Sequence, residues 1–505
     1  MPTPTVNLTE SNKDYARFLP AISSIYTKFL SHNSAYNSKV TDERIPACFP
    51  HGLESMNFLN EDKGLFSYKW GLYSAGHAML NTEKSDKSEA HVQKRDRSKV
   101  TLIGDSGGFQ VAKGVLKFPW EQFKDAGGKC DEVRIKILKW LEHTADWSMI
   151  LDVPSFSIHF DTGLKTFKEC LEYTCHNNDF FMEWRTPGAT KFLNVLQGND
   201  LKTADQWYDA VKGYSDPKIH GEKAFEGWAM GGENMRWWYL ILYRMIKMRD
   251  DGLLDNKNWL HFLGTSHLQA AIQLTAIKRN LVKINPELEV SFDSASAFMS
   301  VAKGLCYEHN SYTPKRFTFV MEAAKDDKTF VTDSRPFTTP FVNKEGKTVS
   351  MEKSIIMHPT EDTFLKTNDI CVRGTDFESK TSWDSLSYVL IMAHNVYQHI
   401  TAVQQANRYG DARDFTKVPS NVIEFIDLTN ETFQSEKPMD LINKHKRLLD
   451  ELSVAKFSGA PRRNMMEDFH ETGLVDHMPG PGKKLEKEPQ KELTTSTFGN
   501  LFEEA

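Results

Sequence analysis

Long apolar runs, a cysteine framework and an excess of basic charge are all missing from this chain. No stretch of about 18 or more consecutive apolar residues occurs in it, which excludes an ordinary membrane-spanning helix. The six cysteines (Cys48, Cys130, Cys170, Cys175, Cys306 and Cys371) are scattered and form no Cys-x-x-Cys pair. Neither a disulfide scaffold nor a common zinc-finger spacing is written into them. The opening Met1-Pro2-Thr3-Pro4 lacks the pattern of a secretory signal, so a reduced, cytoplasmic chain is the expectation. The formal net charge of −6 at pH 7 gives no compositional signal for nucleic acid. Any such contact has to come from local basic patches.

What is present is a large apolar content, 40% of 505 residues with 32 phenylalanines, enough for a substantial core. The length allows one large domain with additions, or two to three ordinary ones. One stretch organises the rest. Val100-Thr101-Leu102-Ile103 runs into Gly104-Asp105-Ser106-Gly107-Gly108-Phe109-Gln110. This reads as a buried strand ending in a glycine turn, with a carboxylate and a hydroxyl at its C-terminal end. Gly-Asp-Ser-Gly-Gly also surrounds the nucleophilic serine of chymotrypsin-like proteases, with His77 as a tempting base. His77 lies too close in sequence for that family, Phe109-Gln110 is the wrong continuation, and the disulfides of a secreted protease are lacking.

Five further runs repeat the pattern. Trp147–Leu151 ends at Asp152, Lys191–Leu196 at Gln197-Gly198, and Phe225–Met230 at Gly231-Gly232. Trp259–Leu263 ends at Gly264-Thr265, and Leu288–Phe292 at Asp293. Helix-length segments such as Glu132–His143, Trp237–Arg249 and His267–Lys278 separate them. Strand, polar tip and helix in repetition predict an α/β fold, a (β/α)8 TIM-like barrel with every tip on one face. A doubly wound open sheet would gather its polar tips at one switch point instead.

Around this core, residues 1–44 are expected to form an N-terminal helical extension, built on the amphipathic stretch Tyr15 to Phe29. Residues 45–300 form the catalytic barrel, with its first strands within 45–80. Residues 301–382 form a β-rich insertion after the last strand. Its expected strands are Arg316–Met321, Thr329–Thr332 and Thr348–Met351, with a hairpin turn at Asn343–Lys347. Residues 383–477 form C-terminal helices completing the barrel, near 383–407, 421–434 and 438–453. Residues 478–505, opening Pro479-Gly480-Pro481-Gly482, read as a flexible tail.

The strand tips carry an ordered set of motifs. They are Asp105-Ser106-Gly107-Gly108-Phe109-Gln110, then Asp152 after Met149-Ile150-Leu151, then Asn194-Val195-Leu196-Gln197-Gly198. Ala229-Met230-Gly231-Gly232 followed by Glu233, Leu263-Gly264-Thr265, and Phe292-Asp293 complete it. Each is short, but the ordered six, spanning roughly Pro46 to Ser300, resemble the tRNA-guanine transglycosylase superfamily. The resemblance implies exchange of a base at a glycosidic bond through an oxocarbenium-like transition state. Asp293 is then the nucleophile that holds the sugar covalently, and Asp105 shuttles the proton of the leaving or incoming base. Asp152 accepts from the N1–H and exocyclic amine of guanine, Gln197 with Gly198 faces O6, and the Gly231–Gly232 backbone offers an N–H. Ser106 and Gly264 line the pocket, and Phe109 stacks on the ring. Each residue also has a plain structural role open to it: Asp105 and Asp293 as helix caps, Asp152 as a turn residue before Val153-Pro154.

Two departures narrow the family. The tRNA-acting members usually carry three close cysteines and a histidine that bind structural zinc, whereas here only Cys371 and an isolated His394-Asn395 remain. No zinc, or a degenerate site, is expected, and no other cofactor. After Asp293, Ser294-Ala295-Ser296-Ala297-Phe298 replaces a run that helps hold tRNA. The pattern is closer to a sister branch, found in bacteria and bacteriophages, that inserts 7-deazaguanine derivatives into DNA and shields it from restriction. That resemblance implies a DNA-guanine transglycosylase. Its partners would be double-stranded DNA, a free 7-deazaguanine base such as 7-cyano-7-deazaguanine, and other proteins of 7-deazaguanine metabolism. The alternatives are a tRNA-guanine transglycosylase of the queuosine or archaeosine type, or a non-catalytic subunit of such an enzyme. Candidate phosphate contacts are Lys94, Arg95 and Arg97, Lys278 and Arg279, and Lys444 through Arg447.

Overall fold

The computed structural model describes residues 5–9, 12–31, 40–374 and 380–453. Eight strands form one all-parallel sheet. They are β1 (Arg17–Pro20), β2 (Trp70–Ser74), β3 (Thr101–Asp105), β4 (Trp147–Met149), β5 (Lys191–Leu196), β6 (Gly227–Met230), β7 (Trp259–Phe262) and β8 (Glu289–Ser294). From β2 to β8 each pairs with its neighbour in sequence, and β8 returns to pair with β1, setting Asp293 opposite Leu19. Just past the end of β1, Ala21 bridges Leu72 of β2 and the Ile22 N–H donates to the Leu72 carbonyl at 2.8 Å, which brings the first and second strands together. The result is the expected α/β barrel.

Local chemistry explains the helices that alternate with these strands. The Thr166 hydroxyl and the Glu169 carboxylate form a reciprocal capping box at the start of α2 (Phe167–Trp184), and Asp200 caps α3 (Leu201–Val211). Such caps satisfy first-turn N–H groups that have no intrahelical partner and contribute about 1 kcal/mol each. The remaining outer helices include α1 (Lys129–Thr144), α4 (Trp238–Asp250) and α5 (Leu268–Leu281). The long helix α6 (Ser385–Asp411) closes the ring after β8 and is almost wholly buried along its first five turns. It is joined to α5 by the Thr275 hydroxyl, which donates to Asn407 at 2.9 Å. Arg44 grips the cap of α6, with two guanidinium nitrogens on the Asp384 carboxylate.

The N-terminal reading needs correction. Residues 15–29 are not one helix on an extension. Arg17–Pro20 is a barrel strand, and only Ser24–Phe29 is helical, capped by Ser23. Pro20 is the reason: without an N–H and with a ring that clashes with the preceding turn, it breaks a helix there but is tolerated as the last residue of a strand. The barrel therefore draws its first strand from within residues 1–44.

The insertion holds a long hairpin, Leu305–Thr313 with Arg316–Ala323, and a two-residue pair, Phe341–Val342 with Thr348–Val349, across the expected turn. A second correction falls here. Thr329–Thr332 is not a strand but part of a 3₁₀ turn, Lys328–Thr332, because the Asp327 carboxylate accepts from the Thr329 N–H at 2.9 Å and starts a helical turn. Helices follow at Ser420–Gln434, Pro438–Lys444 and Lys446–Leu452. The expected tail at 478–505 and the end of the C-terminal helical region lie outside the described residues. Among the described residues no helix is long and apolar enough to cross a membrane.

Candidate active site

Successive side chains of a strand point to opposite faces, so alternation decides which polar groups enter the barrel. On β3 a side chain at Gly104 would strike Leu141 and Ala145 of the surrounding layer, so Ile103 and Asp105 face inward. On β8, Phe292 packs outward beside Phe18, whose ring stacks on His399 of α6, and this turns Ser291 and Asp293 inward. On β7 the inward pair is Trp259 and His261, with His261 directly opposite Ser291 in register.

The tips bring the acidic residues to one mouth. Asp105 is half-buried; its carboxylate accepts from the Gly107 N–H at 3.1 Å and is hydrogen-bonded to Ser74. Burial is the main force raising its pKa above the usual carboxylate range, and the nearby Asp293 adds to it. Asp152 is 7% exposed and its pKa is pushed up to about 7, chiefly by burial, with Asp105 adding to the rise. The Gln197 amide opposes that shift by donating Nε2–H to Asp152 Oδ2 at 2.9 Å. Gln197 is in turn held by the Asn234 amide, which donates to its backbone carbonyl at 3.1 Å. Gly108 sits so near Asp152 that a Cβ there would meet its backbone oxygen at 2.8 Å and Oδ1 at 3.0 Å. Glycine is what lets the β3 turn approach the second carboxylate.

Phe109 lies half-buried beside this group, its ring edge-on to Phe156 at 5.5 Å, with the Lys113 ammonium 4.9 Å from its centre. Gly198 and Gly232 are packed against one another's backbone, Gly232 with φ +56. The Gly231 N–H donates to the Leu196 carbonyl at 2.8 Å, which leaves Gly232 as the residue of the pair to offer an N–H to a ligand. Ser106 lines nothing open: its hydroxyl donates to the Ile150 carbonyl at 2.9 Å and ties the β3 tip to β4. His77 stands 3.1 Å from the Gln110 amide, so it and Ser106 form no nucleophile–base pair. Gly264 acts through its backbone, donating its N–H to Asp293 Oδ1 at 2.8 Å.

Sequence reasoning missed the groups behind Asp293. His261 Nε2 lies 3.1 Å from Asp293 Oδ1, and His261 Nδ1 lies 2.8 Å from the Ser291 hydroxyl, which accepts from the Trp259 indole at 2.7 Å. A histidine inside an apolar strand is visible in the sequence, but only strand register reveals what it touches.

Of the expected phosphate contacts, Arg95 and Lys278 are buried, and several others are paired with carboxylates of the chain. Arg95 is buried and ion-paired with Asp146 at 2.7 Å, and Arg97 binds the same carboxylate. Both precede the N-terminal end of β3, on the face opposite the acidic tips. Lys278 is buried against Glu289 at the start of β8, and Arg279 pairs with Asp411. Lys446 and Arg447 pair with Asp450 and Glu451 along their own helix. Closeness to Asp105 in sequence was misleading, because a strand's two ends lie on opposite faces of a barrel.

Cys371 and His394 each have partners within the protein. The Cys371 thiol contacts the Lys325 carbonyl at 3.3 Å, and His394 lies between the Ser354 hydroxyl and the Tyr307 carbonyl. Among the described residues no three His, Cys, Asp or Glu side chains gather as a metal site. No protein-family model matches the chain, and no curated protein matches it.

Proposed function

We propose that this chain is a glycosyltransferase that exchanges guanine in double-stranded DNA for a free 7-deazaguanine base such as 7-cyano-7-deazaguanine. One observation carries the reading: Asp105, Asp152, Gln197 and Asp293 stand on four strand tips around a single mouth, with the donors and pKa shifts that base exchange requires. The target guanine is flipped out of the duplex so that its edge can reach them.

Asp152 and Gln197 read the edge of the base, Asp152 as acceptor from N1–H and the exocyclic amine. In free protein the Gln197 amide already occupies Asp152, so an entering base replaces one internal hydrogen bond by its own donors. Asp293 attacks C1′ and forms a C–O bond as the C1′–N9 bond breaks, and the electron pair leaves with the guanine. The proton the guanine takes comes from Asp105, whose raised pKa suits a proton carrier. An incoming base then gives its N9 proton to Asp105, and its nitrogen lone pair attacks C1′. The C1′–O bond breaks and its electrons return to Asp293. Two displacements retain the anomeric configuration.

The test is base exchange with labelled guanine or 7-cyano-7-deazaguanine, on duplex DNA and on tRNA in parallel, with Asp293→Asn as control. Incorporation into DNA that the substitution abolishes supports the proposal. Incorporation into tRNA alone assigns the chain to the tRNA-acting enzymes, and incorporation into neither rejects base exchange.

A further inference from the structure

Asp293 is one end of a buried chain of side chains. Trp259 and His261 face the barrel interior from β7, and Ser291 and Asp293 face it from β8. His261 and Ser291 have no exposure at all. The direction of the hydrogen bonds follows from chemistry. The indole N–H can only donate, so the Ser291 oxygen accepts at 2.7 Å. The Ser291 proton is then free to point at His261 Nδ1, 2.8 Å away. A nucleophilic Asp293 is a carboxylate and can only accept, so His261 Nε2 carries a proton and donates it to Oδ1. The Gly264 N–H binds the same oxygen at 2.8 Å.

On the base-exchange reading above, we propose that His261 is the positioning residue of the nucleophile: backed by Ser291 and Trp259, it holds Oδ1 and leaves Oδ2 to form the bond to C1′. The two donors on Oδ1 have a further effect. Once Oδ2 is esterified, Oδ1 is the ester carbonyl oxygen, and N–H groups already aimed at it stabilise the negative charge that returns as the C1′–Oδ2 bond breaks. The ring cannot swing away, because Nδ1 is held by Ser291. The base is gripped on the other side of the mouth by Asp152 and Gln197, so the loss of His261 acts on turnover rather than on base binding.

Two substitutions separate this role from simple packing. His261→Gln can place an amide N–H where Nε2 lies, whereas His261→Asn can mimic Nδ1 alone. His261→Asn is expected to lower kcat about 100-fold with the base KM changed less than about threefold, and His261→Gln to recover at least tenfold of that loss. Ser291→Ala, which frees the ring, is expected to lower kcat about tenfold. Equal losses in the Asn and Gln variants, or losses shared equally between kcat and KM, overturn the inference. A second measurement does not depend on activity. Nitrogen-15 NMR of the imidazole in the full chain should find a protected Nε2–H that disappears in His261→Gln and shifts in Asp293→Asn. A proton on Nδ1 alone rejects the hydrogen-bond order, whatever the enzyme does. If the wild-type chain exchanges no base yet shows this Nε2–H, the base-exchange reading fails while His261 stands as the donor that orients Asp293.

Discussion

Gln197 and Asp152 stand on neighbouring strand tips, joined by one hydrogen bond of 2.9 Å between an amide nitrogen and a buried carboxylate oxygen. The bond stabilises the ionised form of a group that burial otherwise drives towards neutrality, and Asp152 ends near pKa 7.

Base binding should therefore depend on pH. If the carboxylate accepts from N1–H and the exocyclic amine, the affinity for free guanine is expected to be constant above about pH 8 and to fall about tenfold per unit below pH 7. Calorimetric titration between pH 5.5 and 8.5 measures this directly. An affinity that stays flat across the range removes Asp152 from the base.

The same shift has a consequence for stability. The folded pKa of Asp152 lies above its ordinary 3.8, so the folded state binds its proton more tightly than the unfolded state. This group's contribution to stability is present in full below about pH 4 and declines as pH rises towards 7. Asp152→Asn should be at least as stable as wild type at pH 8, with a shallower loss of Tm between pH 5 and 8, while base binding is lost. A Tm that drops steeply at pH 8 argues instead that the carboxylate is structural.

Gly108→Ala should damage the site through sterics alone. Its Cβ would lie 2.8 Å from the Asp152 carbonyl oxygen, backbone that has to shift. The expected cost is about 1–3 kcal/mol of stability, with base binding weakened as Asp152 is displaced. Denaturant unfolding and base titration of the same variant check both parts.

Arg95→Ala should not behave as the loss of a phosphate contact. It leaves Asp146 without its buried partner, and the expected result is a loss of about 3 kcal/mol of stability. DNA affinity and its dependence on salt should stay unchanged at a temperature where the variant is folded. A reduced salt slope would place Arg95 on the nucleic acid after all.

Gln197→Glu sets two carboxylates at the distance of the present amide–carboxylate contact. One of the pair then holds a proton near neutrality, and the base KM is expected to rise at least about tenfold with less effect on kcat. Steady-state kinetics at pH 6, 7 and 8 test it, since the defect should deepen as pH rises.

The sequence by itself determined the alternation of strands and helices and the six polar tips from Asp105 to Asp293. Both are local patterns: a few apolar residues, then a turn that glycine or a carboxylate ends. It did not reveal that Arg17–Pro20 is a strand: Pro20 argues against a helix running through it, but four residues are too short a run to mark a strand, and pairing with β8 decides. Nor could it find the His261–Asp293 contact. That contact depends on register: a shift of one residue between β7 and β8 would turn one side chain out of the barrel. The tertiary structure also separated the two ends of β3, taking Arg95 away from Asp105, because a strand carries its first and last residues to opposite faces of the barrel.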